Sequence, residues 1–195
     1  FIFLQPKAIA PELTIIIFLF LDFNFLISLA KLNNHFFLIF FLLSKIKAEP
    51  ILIEKGEATD NRGSLEFYNS VNLDDFKRFY IVSNPKKGTV RAWHGHKLES
   101  KLVKVIKGKF IVCTIQIDNW ENPNRDIKPF KFELDEKSGI LYIPSGFANG
   151  AINLEPDSRI LYFSSLNLQE SKQDDFRFDS KFWNPWEEYS PEIYE

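Results

Sequence analysis

Five side chains in two short stretches carry the chemistry of a reaction centre. Arg91, His94, His96 and Lys101 lie between Gly88 and Gly108, and Asn149 lies in Pro144-Ser-Gly146-Phe-Ala-Asn149-Gly-Ala-Ile-Asn153. Histidine exchanges a proton near neutral pH, so a pair of histidines one residue apart can work as base and acid. Arginine and lysine beside them hold anionic groups or steady a negative charge as it develops. The set suits proton transfer on an anionic substrate.

These side chains act together only if the backbone brings them to one place. After Ala48 the chain offers short alternating apolar runs at residues 51–53, 76–83, 89–93, 101–106, 110–117, 130–134, 140–143, 151–154 and 159–164. Asn-Pro, Lys-Gly and Ser-Gly pairs punctuate them, and no long amphipathic helix interrupts the series. The pattern predicts an all-β antiparallel sandwich or jelly roll. Alternation puts Lys101 on one face with Val103 and Val105. If that face lines the interior, its ammonium needs an anionic partner or a substrate. The same count places Arg91 with Trp93, and His94 with His96 on the opposite face, unless the strand bulges near Gly95.

A chain of 195 residues with 45% hydrophobic and 26% charged residues has room for one globular domain and an appendage. A net charge of −2, with acids and bases interspersed, leaves no electrostatic footprint for nucleic acid. The single cysteine, Cys113, excludes an internal disulfide and fits a reducing compartment, the cytoplasm. Ile111, Ile115 and Ile117 share its strand face, which predicts a packed core thiol.

Residues 1–46 are a different material, rich in Phe, Ile, Leu and Asn and without glycine. Their strongest membrane stretch, residues 13–30, contains Asp22 and Asn24. A central Asp costs about 2.5 to 3.5 kcal/mol against about 0.3 to 0.6 gained per large apolar residue, so insertion is near marginal. Lys7, Pro11 and Glu12 fit a signal peptide poorly. The chain contains no methionine, which predicts that this segment is upstream sequence translated in silico; a membrane anchor is the second reading, and membrane association follows only from that one. Residues 47–195 then form the functional domain.

The two stretches resemble the cupin motifs, in which a Gly, His-x-His, Glu and Gly are followed by Pro-x-Gly-x-x-His-x-x-x-Asn. Lys101 stands in the place of the glutamate and Asn149 in that of the second-motif histidine. A cation at one ligand position repels a divalent metal, so the resemblance implies a cupin-type double-stranded β-helix with no metal and no other cofactor. The order of Asp60-Asn-Arg62-Gly63, Arg78-Phe-Tyr80, Val90-Arg91-Ala-Trp93-His94, Lys101-Leu-Val-Lys-Val and Tyr142-Ile-Pro-Ser-Gly146-Phe-Ala-Asn-Gly150 is similar to that of the dTDP-4-dehydrorhamnose 3,5-epimerase family. Arg91-Ala-Trp-His94-Gly-His96-Lys97 is similar to the motif of the related 3,4-ketoisomerases.

That resemblance implies an isomerase that enolises a nucleotide-activated 4-keto-6-deoxy sugar for surface polysaccharide. It makes His94 the base, Lys101 the cation near the enolate oxygen, and Asp179 the acid that orients the histidine. Arg62 and Arg91 are expected to hold the diphosphate, with Trp93, Tyr80 and Asn149 as further substrate contacts. The family's tyrosine acid falls on Asn167 or Leu168 here, so His96, Tyr80 or Tyr162 must supply the second proton. A 3,4-ketoisomerase, or a sugar-nucleotide-binding cupin without activity, are the rival readings. Relatives commonly form homodimers. Asp174-Asp175 and Glu187-Glu188 read as solvated charges, and Trp183, Pro185 and Trp186 as a tail packed on the barrel or on a partner subunit, with an aromatic wall for a nucleotide base as the other reading.

Overall fold

The computed structural model describes residues 48–194, and both readings of the N-terminal segment lie outside them. The described residues form a jelly roll of two main sheets. One is five-stranded, in the order β1 (Ile51–Ile53), β9 (Ile140–Ile143), β6 (Lys101–Lys107), β11 (Ser158–Ser164) and β4 (Arg78–Asn84). The other is six-stranded and runs β12 (Phe176–Arg177), β5 (Thr89–His96), β10 (Phe147–Asn153), β7 (Lys109–Gln116) and β8 (Phe130–Asp135), with β13 (Ile193–Tyr194) also pairing with β5. No helix of the described residues is long and apolar enough to cross a membrane.

The strands follow the alternation in the sequence. Val103 and Val105 of β6, Leu141 and Ile143 of β9, and Ile160 and Tyr162 of β11 face Phe110, Val112, Phe147 and Ala151 across the space between the sheets. The opposite face of β7 carries Ile111, Cys113 and Ile115 into a second core with Trp93, Trp183 and Trp186. The six-stranded sheet is therefore covered on both faces, and the chain after residue 175 is the outer cover. Cys113 is a packed thiol there, and burial pushes its pKa up to about 12. The expected packing of the tryptophan-rich tail is what the chain adopts.

Two elements have no apolar alternation to betray them. The hairpin β2 (Gly56–Asp60) and β3 (Gly63–Phe67) is exposed along most of its length. Helix α1 (Leu168–Gln173) is short and rests on local capping: the Asn167 side chain accepts from the amides of Gln169 and Glu170, and Glu170 returns a bond to the Asn167 amide.

Strand β5 departs from strict alternation. On β10, Asn149 pairs with His94 and Ala151 with Arg91, so three steps on β5 match two on β10. The extra residue lies at Ala92-Trp93, and both of these side chains are buried in the outer core. Parity is reset, and Arg91, His94 and His96 all reach the inner face. The register is regular at Gly95 and shifts at Ala92-Trp93 instead, so Arg91 does not share the face of Trp93, as strict alternation had placed it, but that of the two histidines. The bulge is seated against Gly150, where an added Cβ would come within 2.5 Å of the Ala92 Cβ and 3.0 Å of the Trp186 ring. Gly150→Ala is expected to lower stability by about 1 to 3 kcal/mol, the range for overpacking a closed core, as read from the midpoint of urea unfolding. An unchanged midpoint would mean that the bulge has slack.

Candidate active site

The inner faces of β4, β5, β6, β10 and β11 surround a cavity of about 290 Å³. Strand β4 contributes Arg78, Tyr80 and Asn84, β5 contributes Arg91, His94 and His96, and β6 contributes Lys101. Asn149 and Tyr162 complete the wall from β10 and β11, while Leu168, Lys172, Asp175 and Arg177 form part of it from α1 and the chain that follows. Arg78, Arg91, Lys101, Lys172 and Arg177 face one lining carboxylate, Asp175, so the cavity carries an excess of positive charge suited to an anion.

The proton positions of one histidine follow from its neighbours. His96 Nδ1 lies 2.8 Å from the Asp174 carbonyl oxygen, which can only accept, so Nδ1 carries the hydrogen. Nε2 then has the lone pair, and it accepts from Lys101 Nζ at 2.9 Å. Burial, followed by the Lys101 charge, lowers the His96 pKa, with Glu99 opposing. Lys101 is only 5% exposed, and burial brings its pKa down to about 8 despite the pull of Glu99. The anionic partner expected for an inward lysine is thus Glu99, 3.7 Å away.

His94 is held differently. Arg177, paired with it across β12 and β5, donates from Nη1 to His94 Nδ1, and its Nε donates to Asp175 at 3.0 Å. Burial, then the Arg177 guanidinium, pushes the His94 pKa down to about 3, so the ring is neutral throughout the physiological range. Arg91 donates from Nε to Asn84 Oδ1 at 3.0 Å, and Asn84 in turn donates to Asn153 at 3.3 Å. Tyr80 and Tyr162 stack with centroids 5.3 Å apart. Burial raises both of their pKa values, that of Tyr80 to about 12, so both hydroxyls are neutral at pH 7. Asn149 lines the cavity with its amide already donating to the His94 carbonyl oxygen at 2.9 Å, which ties β10 to β5.

Three residues named from the sequence stand elsewhere. Trp93 is fully buried in the outer core, where it packs on Trp183 and Trp186 and donates to the Trp183 carbonyl, because the bulge turns it away from the cavity. Arg62 sits in the exposed turn between β2 and β3, paired with Asp60, and lines no part of this cavity. Asp179 is an exposed turn residue that accepts from the Lys181 amide at 2.7 Å, and Arg177, two positions earlier, is the one beside His94.

Four residues escaped sequence reasoning. Arg78 entered only as a landmark, and Glu99 and Arg177 carried no motif at all. Asp174, read as a solvated charge, is buried and accepts from the amides of Lys97, Leu98 and Glu99 at 2.9 to 3.0 Å. A turn with three inward amides demands an acceptor, yet nothing in the sequence says which of many acids supplies it. Of the two positions at which the resemblance put the family's tyrosine, Asn167 caps α1 and Leu168 lines the cavity. Among the described residues no group of three His, Cys, Asp or Glu is arranged to hold a metal ion.

Fold and cavity together define a cupin whose inner wall is equipped to move protons on an anion. Residues 46–191 match the family described as dTDP-4-dehydrorhamnose 3,5-epimerase, and the chain belongs to that family. It is an isomerase acting on sugar nucleotides, in deoxysugar biosynthesis. Among solved structures it is similar to the dTDP-4-dehydrorhamnose 3,5-epimerase of Bacillus anthracis, determined with TDP and PPi bound. There the identity is 21%, the TM-score 0.61, and 77% of this chain and 93% of that one are covered. The corresponding epimerase of Sulfolobus tokodaii is 25% identical, with a TM-score of 0.57 over 71% of this chain and 81% of that one. A 3,4-ketoisomerase from Helicobacter canadensis is 19% identical, with a TM-score of 0.55 over 72% and 99%. No curated protein sequence matches the chain.

Replacing Arg177 by Met removes a cation next to His94, which favours the imidazolium. The His94 pKa is expected to rise from about 3 while staying below its ordinary value of 6.5, because burial, the largest cause, remains. Titration of the ring carbon-bound protons by NMR reads this directly; a pKa that does not move would mean that Arg177 does not face His94 in solution.

Proposed function

We propose that the cavity binds a dTDP-linked 4-keto-6-deoxy sugar and that His94 removes the proton from a carbon beside its ketone. The observation that carries this reading is the convergence of a neutral imidazole, a lysine ammonium and several arginines on one inner wall. The ketone acidifies the neighbouring C–H bond, and the Lys101 ammonium meets the oxygen on which negative charge collects. Arg91, which donates from Nε to Asn84 on the same wall, carries the planar, permanently charged group suited to a diphosphate. Arg177 is half-exposed, and a phosphate oxygen is a stronger acceptor for it than an imidazole nitrogen. Substrate therefore draws Arg177 from Nδ1 and frees the lone pair that the base requires.

Two histidines on the inner wall, with the apolar Leu168 lining it from α1, favour a second outcome in which the proton returns at a different atom. A 3,4-ketoisomerase would share the enolisation and differ in its product. A cytoplasmic site of action belongs to the same proposal, supported by the unpaired thiol of Cys113. So does a homodimer, supported by the outer face of β4 and β11. Phe79 and Ile81 are 67% and 52% exposed there, and Phe79 and Phe76 pack on Phe163 with centroids 5.9 and 6.4 Å away.

Incubation with dTDP-4-keto-6-deoxyglucose in deuterated buffer is expected to erase the C3 or C5 proton signal, and His94→Ala is expected to slow this by about 10² or more. Saturable binding without exchange would turn the reading to a binding protein. The base must be neutral and the lysine charged, so kcat/KM should lack an acid limb near pH 6.5 and fall above about pH 8 as Lys101 loses its proton. Sedimentation should give the mass of a dimer, and Phe79→Glu that of a monomer; a monomeric wild type would rule out the homodimer.

A further inference from the structure

We propose that Glu99, which does not touch the cavity, is the positioning residue that makes the Lys101 ammonium the second proton donor of this enzyme. The proposal rests on the enolising chemistry given above. Glu99 has a side chain with no exposure to solvent at all. Its Oε1 accepts from Arg78 Nη2 at 3.2 Å and from Ser164 Oγ, and its Oε2 accepts from Ser171 Oγ at 3.2 Å. The same Oε2 lies 3.0 Å from His96 Nδ1 and 3.7 Å from Lys101 Nζ. A buried carboxylate is costly unless every lone pair is matched, and here each neighbour is a donor.

The arrangement has a consequence for the two groups that continue into the cavity. His96 Nδ1 faces two acceptors, the Asp174 carbonyl and Glu99, so its hydrogen cannot move to Nε2 without setting an Nδ1 lone pair against both. Nε2 is therefore locked as an acceptor for Lys101. His96 is thereby occupied as a support and holds no proton on its cavity side. Lys101 keeps its charge beside Arg78, Arg177, His94 and His96 because Glu99, with Asp175 farther out, supplies the opposing charge, and the Tyr162 ring lies 6.0 Å below the ammonium. The start of α1 adds no acid to the wall, as Asn167 is engaged in capping and Leu168 is apolar.

The step then balances as follows. His94 takes the proton from carbon, the C–H electron pair becomes the C=C bond, and the carbonyl pair moves to oxygen as the enolate. Lys101 gives one N–H proton to a carbon of the enolate: the C=C pair becomes the new C–H bond, the oxygen pair restores a C=O bond, and the N–H pair stays on nitrogen as a neutral amine. Turnover closes when the His94 imidazolium loses its proton to solvent and the amine regains one. A Glu99 that merely tied the turn at residues 97–99 to α1 would scale all rates together; a Glu99 that holds the donor changes how the enolate partitions.

The test uses the full chain and dTDP-4-keto-6-deoxyglucose in deuterated buffer, counting C–H exchange events against product molecules. In Glu99→Gln the ratio of exchange to product is expected to rise about tenfold or more, because His94 can return solvent deuterium while the donor is impaired. An unchanged ratio in a folded variant overturns the proposal. If the variant does not fold, nitrogen-15 NMR of the wild type decides: His96 is expected as the neutral Nδ1–H tautomer at pH 7, and an imidazolium or Nε2–H tautomer overturns it. A wild type with neither exchange nor product defeats the enolising reading itself, while the His96 tautomer still tests the placement of Glu99 separately.

Discussion

Everything at the inner wall depends on one extra residue in β5. A strand alternates its side chains strictly, and without the bulge at Ala92-Trp93 the Arg91 side chain would point away from the two histidines. The bulge is held from outside the barrel. Trp93 is drawn into a cluster with Trp183 and Trp186, and Gly150 leaves the room that Ala92 and the Trp186 ring occupy. Aromatic burial on the outer face of the sheet thus fixes the geometry of chemistry on the inner one, and the C-terminal tail takes part in the site although its tryptophans never enter it.

The second constraint is electrostatic. A cavity with five cations among its lining residues attracts an anionic substrate but also repels any further proton, which is why burial and Arg177 keep His94 neutral and ready to accept one. At Lys101 burial acts in the same direction, and Glu99 opposes it. One buried carboxylate thus raises the proton affinity of the lysine within the wall that lowers that of the imidazole.

The strand pattern was legible because it rests on local alternation: the runs at residues 51–53, 101–106, 110–117, 140–143 and 159–164 became β1, β6, β7, β9 and β11 with ends shifted by no more than one residue. Inward Lys101, core Cys113 and the packed tail were legible for the same reason. Arg177 and Asp174 were not, since they reach the site through pairing of β12 with β5 and through a turn that α1 closes, contacts between parts of the chain some eighty residues apart. Trp93 was misplaced by the parity reset, and Asp179 lost its place to Arg177 because the pairing register, set in three dimensions, selects one residue of that segment.

The sequence by itself determined the jelly roll, the inward lysine and the two histidines at the spacing of a proton-transfer site, because periodicity and motif spacing are properties of neighbouring residues. The tertiary structure decided which residues surround those histidines: Glu99 and Asp174 on His96, Arg177 on His94, Asn84 on Arg91. Those pairings depend on strand register and on burial, and both are fixed only when the two sheets and the tail close on one another.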